Sequence, residues 1–137
     1  MNPGTLPVLL LDTNALVFDA LAPARLSKRA RHAMDAAARA GSLGCADISL
    51  WEIAMLIARE RLSPGTDTRT FLEDVIAARR LTVVPIDPDI AARAQSPDYD
   101  LSDPADRIIA ATAEVIGAQL VTADRRLRRT RSLKTIW

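Results

Sequence analysis

Short, unbroken apolar runs alternate along this chain with stretches in which apolar residues recur every three or four positions. Val8-Leu9-Leu10-Leu11 is continuous, apolar and stopped by Asp12-Thr13-Asn14, the signature of a short strand buried on both faces. Ser27 is placed to cap a helix running to about Ala40 and closed by Gly41. Leu43 to Ala46 predicts a second strand. Ser49-Leu50-Trp51-Glu52 has the form of a capping box ahead of the helical spacing Trp51, Ala54, Met55, Ala58, with Trp51 facing the core and Ser63-Pro64-Gly65 ending the helix. A further helix spans about Thr68 to Arg79, and Leu81 to Ile86 predicts a third strand. Asp87-Pro88 opens a short helix; after the loop Ser96 to Ser102, Asp103-Pro104 opens another that runs to about Ile116 and stops at Gly117. Gln119 to Thr122 is a fourth strand leading into Asp124, and Lys134 to Trp137 offers a fifth. Strands separated by helices predict an α/β fold, a three-layer α/β/α sandwich around a central parallel sheet.

Length and composition fit that picture without extending it. The 137 residues, 49% of them apolar, make one ordinary domain that buries about 70% of its unfolded surface. Cys45 stands alone, so no internal disulfide forms, and the expected setting is a reducing cytoplasm with the thiol in the core. His32 is the only histidine and lies among Arg29, Arg31 and Arg39, which excludes multi-histidine metal sites and argues against a Ser-His-Asp triad. No run is long enough to span a membrane, and Pro7 to Leu11 is too short for a signal-peptide core.

Charge changes the picture more. Asp12, Glu52, Asp106 and Asp124 each stand at the edge of an apolar segment and, in a parallel α/β architecture, at the end of the sheet where strands finish and helices start. Carboxylates converging at such a place repel unless a divalent cation lies between them. Each also has a local reading: Glu52 completing the capping box, Asp106 favoured by the helix dipole, Asp12 and Asp124 capping the turns that follow. The net charge is only +1, yet six acids face one base between Asp87 and Asp106, and six bases with no acid follow from Arg125 to the end. Such a basic tail suits a phosphate backbone, an acidic partner or plain solvent.

Four ordered segments, Leu10-Leu11-Asp12-Thr13-Asn14, Ser49-Leu50-Trp51-Glu52-Ile53-Ala54, Asp103-Pro104-Ala105-Asp106-Arg107 and Val121-Thr122-Ala123-Asp124, resemble the signature segments of PIN-domain proteins, above all the VapC-type toxins of bacterial toxin–antitoxin pairs. The resemblance implies a small metal-dependent ribonuclease using Mg²⁺ or Mn²⁺, dimeric and neutralised by a cognate antitoxin. It places the acidic quartet on Asp12, Glu52, Asp106 and Asp124, with Asn14, Ser49 and Thr122 as polar supports. Asp103 competes with Asp106 for the third place, and the capping position of Asp103 ahead of Pro104 favours Asp106. Ala105 and Glu60 depart from the family's usual bulkier residue and glycine.

Phosphodiester hydrolysis on such a site needs no histidine. Asp12 is the expected central ligand, with Asp106 and Asp124 completing coordination and Glu52 orienting the attacking water and helping to remove its proton. Arg107 is a candidate for the scissile phosphate or for a salt bridge, and Arg125, Arg126, Arg128 and Arg129 for the RNA backbone. Ala20 to Leu26 and Gln95 to Ser102 are candidate substrate-facing loops. A haloacid-dehalogenase-like phosphatase would need a second aspartate where Asn14 stands, and a non-catalytic PIN-like RNA- or protein-binding module is commoner where an acid has been lost.

Overall fold

The computed structural model describes residues 6–137. Five parallel strands, β1 (Leu9–Leu11), β2 (Leu43–Ala46), β3 (Thr82–Val84), β4 (Gln119–Val121) and β5 (Thr135–Ile136), form one sheet in the order β3-β2-β1-β4-β5. Helices α1 (Thr13–Leu21), α2 (Lys28–Arg39), α3 (Asp47–Ala58), α4 (Thr68–Arg79), α5 (Pro88–Ala94), α6 (Pro104–Ile116) and α7 (Arg125–Arg128) surround it, giving the expected α/β sandwich. Among the described residues no helix is long and apolar enough to cross a membrane.

The pleat explains why the strands are apolar throughout. In β1, Leu9 and Leu11 enter a core with α1, α2 and α4, built on Ala15, Leu16, Met34, Phe71 and Val75, while Leu10 enters the opposite core with Ile90, Ile109 and Leu127. All three leucines are at most 5% exposed, and each fully buried side chain is worth about 1.5–3 kcal/mol. β4 repeats the division, with Leu120 on one face and Val121 on the other. Gly44 sits where β2 is crowded: a Cβ there would lie 2.6 Å from the Thr82 carbonyl oxygen and 2.7 Å from Pro7 Cγ.

Helix starts follow the predicted caps. Ser27 Oγ accepts from Ala30 N at 3.0 Å, Asp87 Oδ1 from Ile90 N at 2.8 Å, and Asp103 Oδ1 from Ala105 N at 2.9 Å. Gly117 ends α6 in the left-handed conformation. Three expectations need correction. Thr13–Leu21 forms a helix directly after β1, where the pattern announced none. The capping box at Ser49 does not form: α3 begins two residues earlier at Asp47, so Ser49 is a buried interior residue and Glu52 lies in the second turn. Trp51, read as a core residue, is 60% exposed.

Strand order has one functional consequence. From β1 the chain moves outward to β2 and β3 on one side, then returns to place β4 and β5 on the other. The connections therefore diverge between β1 and β4, opening a crevice beyond their carboxyl ends.

Candidate active site

Asp12 and Asp124 flank that crevice. The Asp12 N–H donates to the Val121 carbonyl at 3.1 Å, which locks the residue after β1 against the last residue of β4. Its carboxylate caps α1, accepting from Ala15 N at 2.7 Å, and is only 5% exposed. Asp124 caps α7 through Arg126 N at 2.8 Å and Leu127 N at 3.2 Å. The buried Thr122 sits by both acids: its Oγ1 accepts from Asp124 N at 3.0 Å, and its side chain works against the rise in the Asp12 pKa. The local capping roles are thus filled by the same carboxylates that the resemblance names for the acidic quartet.

Glu52 reaches the crevice from α3. The Thr13 hydroxyl donates to Glu52 Oε1, and Thr13 Oγ1 lies 3.0 Å from the buried Ser49 Oγ. A hydroxyl carries one proton, so with Thr13 committed to the carboxylate, Ser49 is left to donate to Thr13. Ser49 is therefore linked to Glu52 through Thr13. Thr13 itself was not singled out; its buried position immediately after Asp12 in a polar triplet was the available signal. Asn14, named as a support, is exposed. From α6, Asp106 is half-buried while Asp103 is exposed and occupied in capping, which favours Asp106 as the third acid.

The carboxylates feel one another. Burial pushes Asp12 up to about 6, helped by Asp124 and Glu52 and opposed by the hydrogen bonds from Thr122 and Ala15. Asp106 is pushed up to about 7, first by burial and then by Asp103, Asp124, Glu52 and Asp12, with no hydrogen bond or cation pulling it down. Glu52 is also raised, by burial and by Asp103, against the bond from Thr13. None of the ion pairs among the described residues involves these acids. A negative cluster without a resident positive partner suits an incoming cation.

Among the described residues no three His, Cys, Asp or Glu side chains are grouped so as to hold a metal ion by themselves. That openness is compatible with Mg²⁺ or Mn²⁺: the smaller ion in particular keeps several waters and uses one or two carboxylates together with substrate phosphates. Donors consisting only of carboxylate oxygens also match hard cations and not zinc or copper. The residues present fit such an ion.

A model of the PIN domain matches residues 9–133. The chain belongs to the PIN-domain family. It is 37% identical over 132 residues to ribonuclease VapC22 of Mycobacterium tuberculosis, covering 94% of this chain and 98% of that protein. The same fold is found in VapBC2 from Rickettsia felis bound to a promoter DNA fragment, with a TM-score of 0.73 at 16% identity over 93% of this chain and 96% of the other. A toxin–antitoxin complex from Klebsiella pneumoniae gives 0.62 at 19% identity over 94% and 96%.

Within this PIN domain two arginine expectations come out differently. Arg107 makes neither a phosphate-facing projection nor a salt bridge. Its Nε donates to the Ala94 carbonyl at 2.8 Å, Nη1 to Tyr99 at 3.1 Å and Leu101 at 2.9 Å, and Nη2 to Ser96 at 2.7 Å. Four of the five guanidinium donors are thus occupied in pinning the loop before α6, because those carbonyls have no strand or helix to satisfy them. Arg125, Arg126, Arg128 and Arg129 are exposed, and no ion pair among the described residues engages them. Cys45 is buried, its thiol pushed up to about 12 by burial, as a core role requires.

Proposed function

We propose that this protein is a single-domain, metal-dependent endoribonuclease, the toxin of a toxin–antitoxin pair, acting in the cytoplasm. The observation that carries the reading is that Asp12, Glu52 and Asp124 each raise the pKa of Asp106, and Glu52 and Asp124 that of Asp12, beside the β1/β4 crevice with no cationic side chain opposing them. The 37% identity to a ribonuclease supports the activity, and the toxin–antitoxin complexes among the fold's relatives support a cognate antitoxin as partner. An apolar groove lined by exposed Trp51 and half-buried Met55 and Ile108, beside Glu52 and Asp103, supports a protein partner or a second copy covering the site's edge, in keeping with an antitoxin and a homodimer.

Asp12, Asp106 and Asp124 would hold the ion. A divalent ion such as Mg²⁺ or Mn²⁺ held there would supply Lewis-acid polarisation of a phosphoryl oxygen and charge stabilisation. Thr122 fixes Asp12 and Asp124 in register, so the two carboxylates need little rearrangement. Glu52 has Oε1 engaged by Thr13, which leaves Oε2 to accept the proton of the attacking water. Its raised pKa makes it a better proton acceptor than an exposed glutamate. Exposed Arg125, Arg126, Arg128 and Arg129 hold the phosphates beyond the scissile bond.

The test is incubation of the purified protein with structured RNAs in Mg²⁺, then in EDTA, then with Mn²⁺ restored. Cleavage should appear, disappear and return. Cleavage indifferent to EDTA would remove the metal from the mechanism, and none under any condition would remove the nuclease. Mapping new RNA ends after brief expression in cells identifies the target.

A further inference from the structure

A groove of about 810 Å³ runs between the loop before α6 and the segment containing α7, lined by Asp98 and Asp100 from the first and by Arg126, Arg129, Thr130 and Arg131 from the second. Both walls lead out of the acidic site. Arg126 donates its backbone N–H to Asp124, and the loop carrying Asp98 and Asp100 ends at Asp103, the cap of the helix that bears Asp106. Opposite charges line one cleft, yet no ion pair within 4 Å joins these residues.

The acidic wall is held in place from behind. Tyr99 and Leu101 are buried while Asp98, Asp100 and Ser102 are exposed, an alternation that turns both aspartates outward. Arg107 holds the Tyr99 and Leu101 carbonyls. The Tyr99 hydroxyl donates to Glu114, which also pairs with Arg93 at 3.1 Å, and the guanidinium carbons of Arg93 and Arg107 lie 5.1 and 5.6 Å from the Tyr99 ring centroid. A loop so tied cannot readily collapse onto the arginines.

We propose that this groove is a base-reading subsite for the single-stranded RNA leaving the active site, with Arg126, Arg129 and Arg131 on its phosphates and Asp98 or Asp100 reading a guanine. The inference rests on the ribonuclease reading and deepens it. Phosphates alone would be served by an all-basic cleft; the carboxylates repel phosphate and must face donors. Among the bases, guanine alone presents two adjacent N–H donors, N1–H and the 2-amino group, on its Watson–Crick edge, and a carboxylate accepts such a pair side by side. Inosine keeps one of the two, and uracil offers a single N–H between carbonyls.

The experiment uses fluorescent oligoribonucleotides identical except for guanosine, inosine or uridine at the positions flanking the cleaved bond. Cleavage is measured with the wild-type protein in Mn²⁺, and binding with Asp106→Asn, which separates reading from catalysis. The expected result is a preference for guanosine over uridine of about tenfold, inosine falling between, in both assays. The pair Asp98→Ala and Asp100→Ala should collapse that ratio toward one; both residues are exposed, so folding is spared. Gln at Arg126, Arg129 and Arg131 should instead weaken all three RNAs alike and flatten the salt dependence. Cleavage whose base preference survives loss of both aspartates overturns the subsite and leaves the groove to a protein partner. An Asp98- and Asp100-dependent binding preference without any cleavage supports the subsite while overturning the nuclease.

Discussion

Two clusters in this molecule bring carboxylates together, and they are built in opposite ways. On the α1/α2/α4 side, Arg79 grips Asp19 with two nitrogens, at 2.9 and 3.0 Å, and Asp35 with a third at 2.8 Å. The arginine neutralises both acids, holds three helices together and has its own pKa raised by them. At the β1/β4 crevice, Asp12, Glu52 and Asp106 have no such partner, and burial raises all three. An acidic cluster with its own cation is a brace, whereas one without it keeps its carboxylates unneutralised and their pKa values raised. The same residue type is structural in one place and chemical in the other because of what the chain supplies between the charges.

The comparison breaks most visibly in turnover. Asp12→Asn or Asp106→Asn should lower RNA cleavage by about a thousandfold or more while circular dichroism stays native, because the acids act as a unit; Asp103→Asn should cost far less. Equal losses at Asp103 and Asp106 would return the third place to dispute. Arg79→Met should do the reverse. Two carboxylates lose their partner, and denaturant unfolding should show a loss of about 1–2 kcal/mol, modest because Asp35 is substantially exposed, with cleavage per folded molecule retained.

Protonation sharpens the contrast. Asp12 and Asp106 bind protons more readily in the folded chain than in the unfolded one. Their contribution to stability is therefore full below the ordinary carboxylate range and is lost as pH rises through about 6 and about 7. In EDTA, Asp106→Asn should melt higher than wild type by a few degrees at roughly pH 8 and by little at roughly pH 5. Millimolar Mn²⁺ should close the gap by stabilising the wild type. A gap independent of both pH and metal would mean that the acids do not share a site.

The smallest effect concerns a residue outside both clusters. Glu60 ends α3 with φ +58, where a side chain is strained. Glu60→Gly should raise stability by up to about 1 kcal/mol in thermal unfolding without altering cleavage.

What the sequence made legible was whatever a local pattern decides. Short apolar runs mark β1 and β4, and an aspartate directly after the first and three residues after the second leaves little choice about where each stands once the strands are parallel. Caps at Ser27, Asp87 and Asp103 work with neighbours three residues away or fewer, so they too could be read. The failures concern partners far along the chain. Ser49 matches a capping motif, but its environment is set by Thr13 and Glu52, and a distant contact outweighed the local signal. Arg107 looks like a free base beside a catalytic acid until the loop folds back and offers it four carbonyls. Trp51 keeps the spacing of a core residue while α3, anchored by Ile53 in one core and leaning Ile48 on the other, turns it outward. α1 was hidden because it starts with no intervening turn, capped by the same Asp12 that ends the strand.

The placement of β1 in the middle of the sheet bears on the order in which the crevice is assembled. Asp12 emerges from the ribosome well before the strand that fixes its backbone on the crevice side, and before Thr122 and Asp124, which follow that strand. Domains fold from the N-terminal end as synthesis proceeds, at about 5–20 residues per second. For the proposed ribonuclease, Asp12 is therefore backed by its crevice-side neighbours only once β4 and the residues after it have docked beside β1.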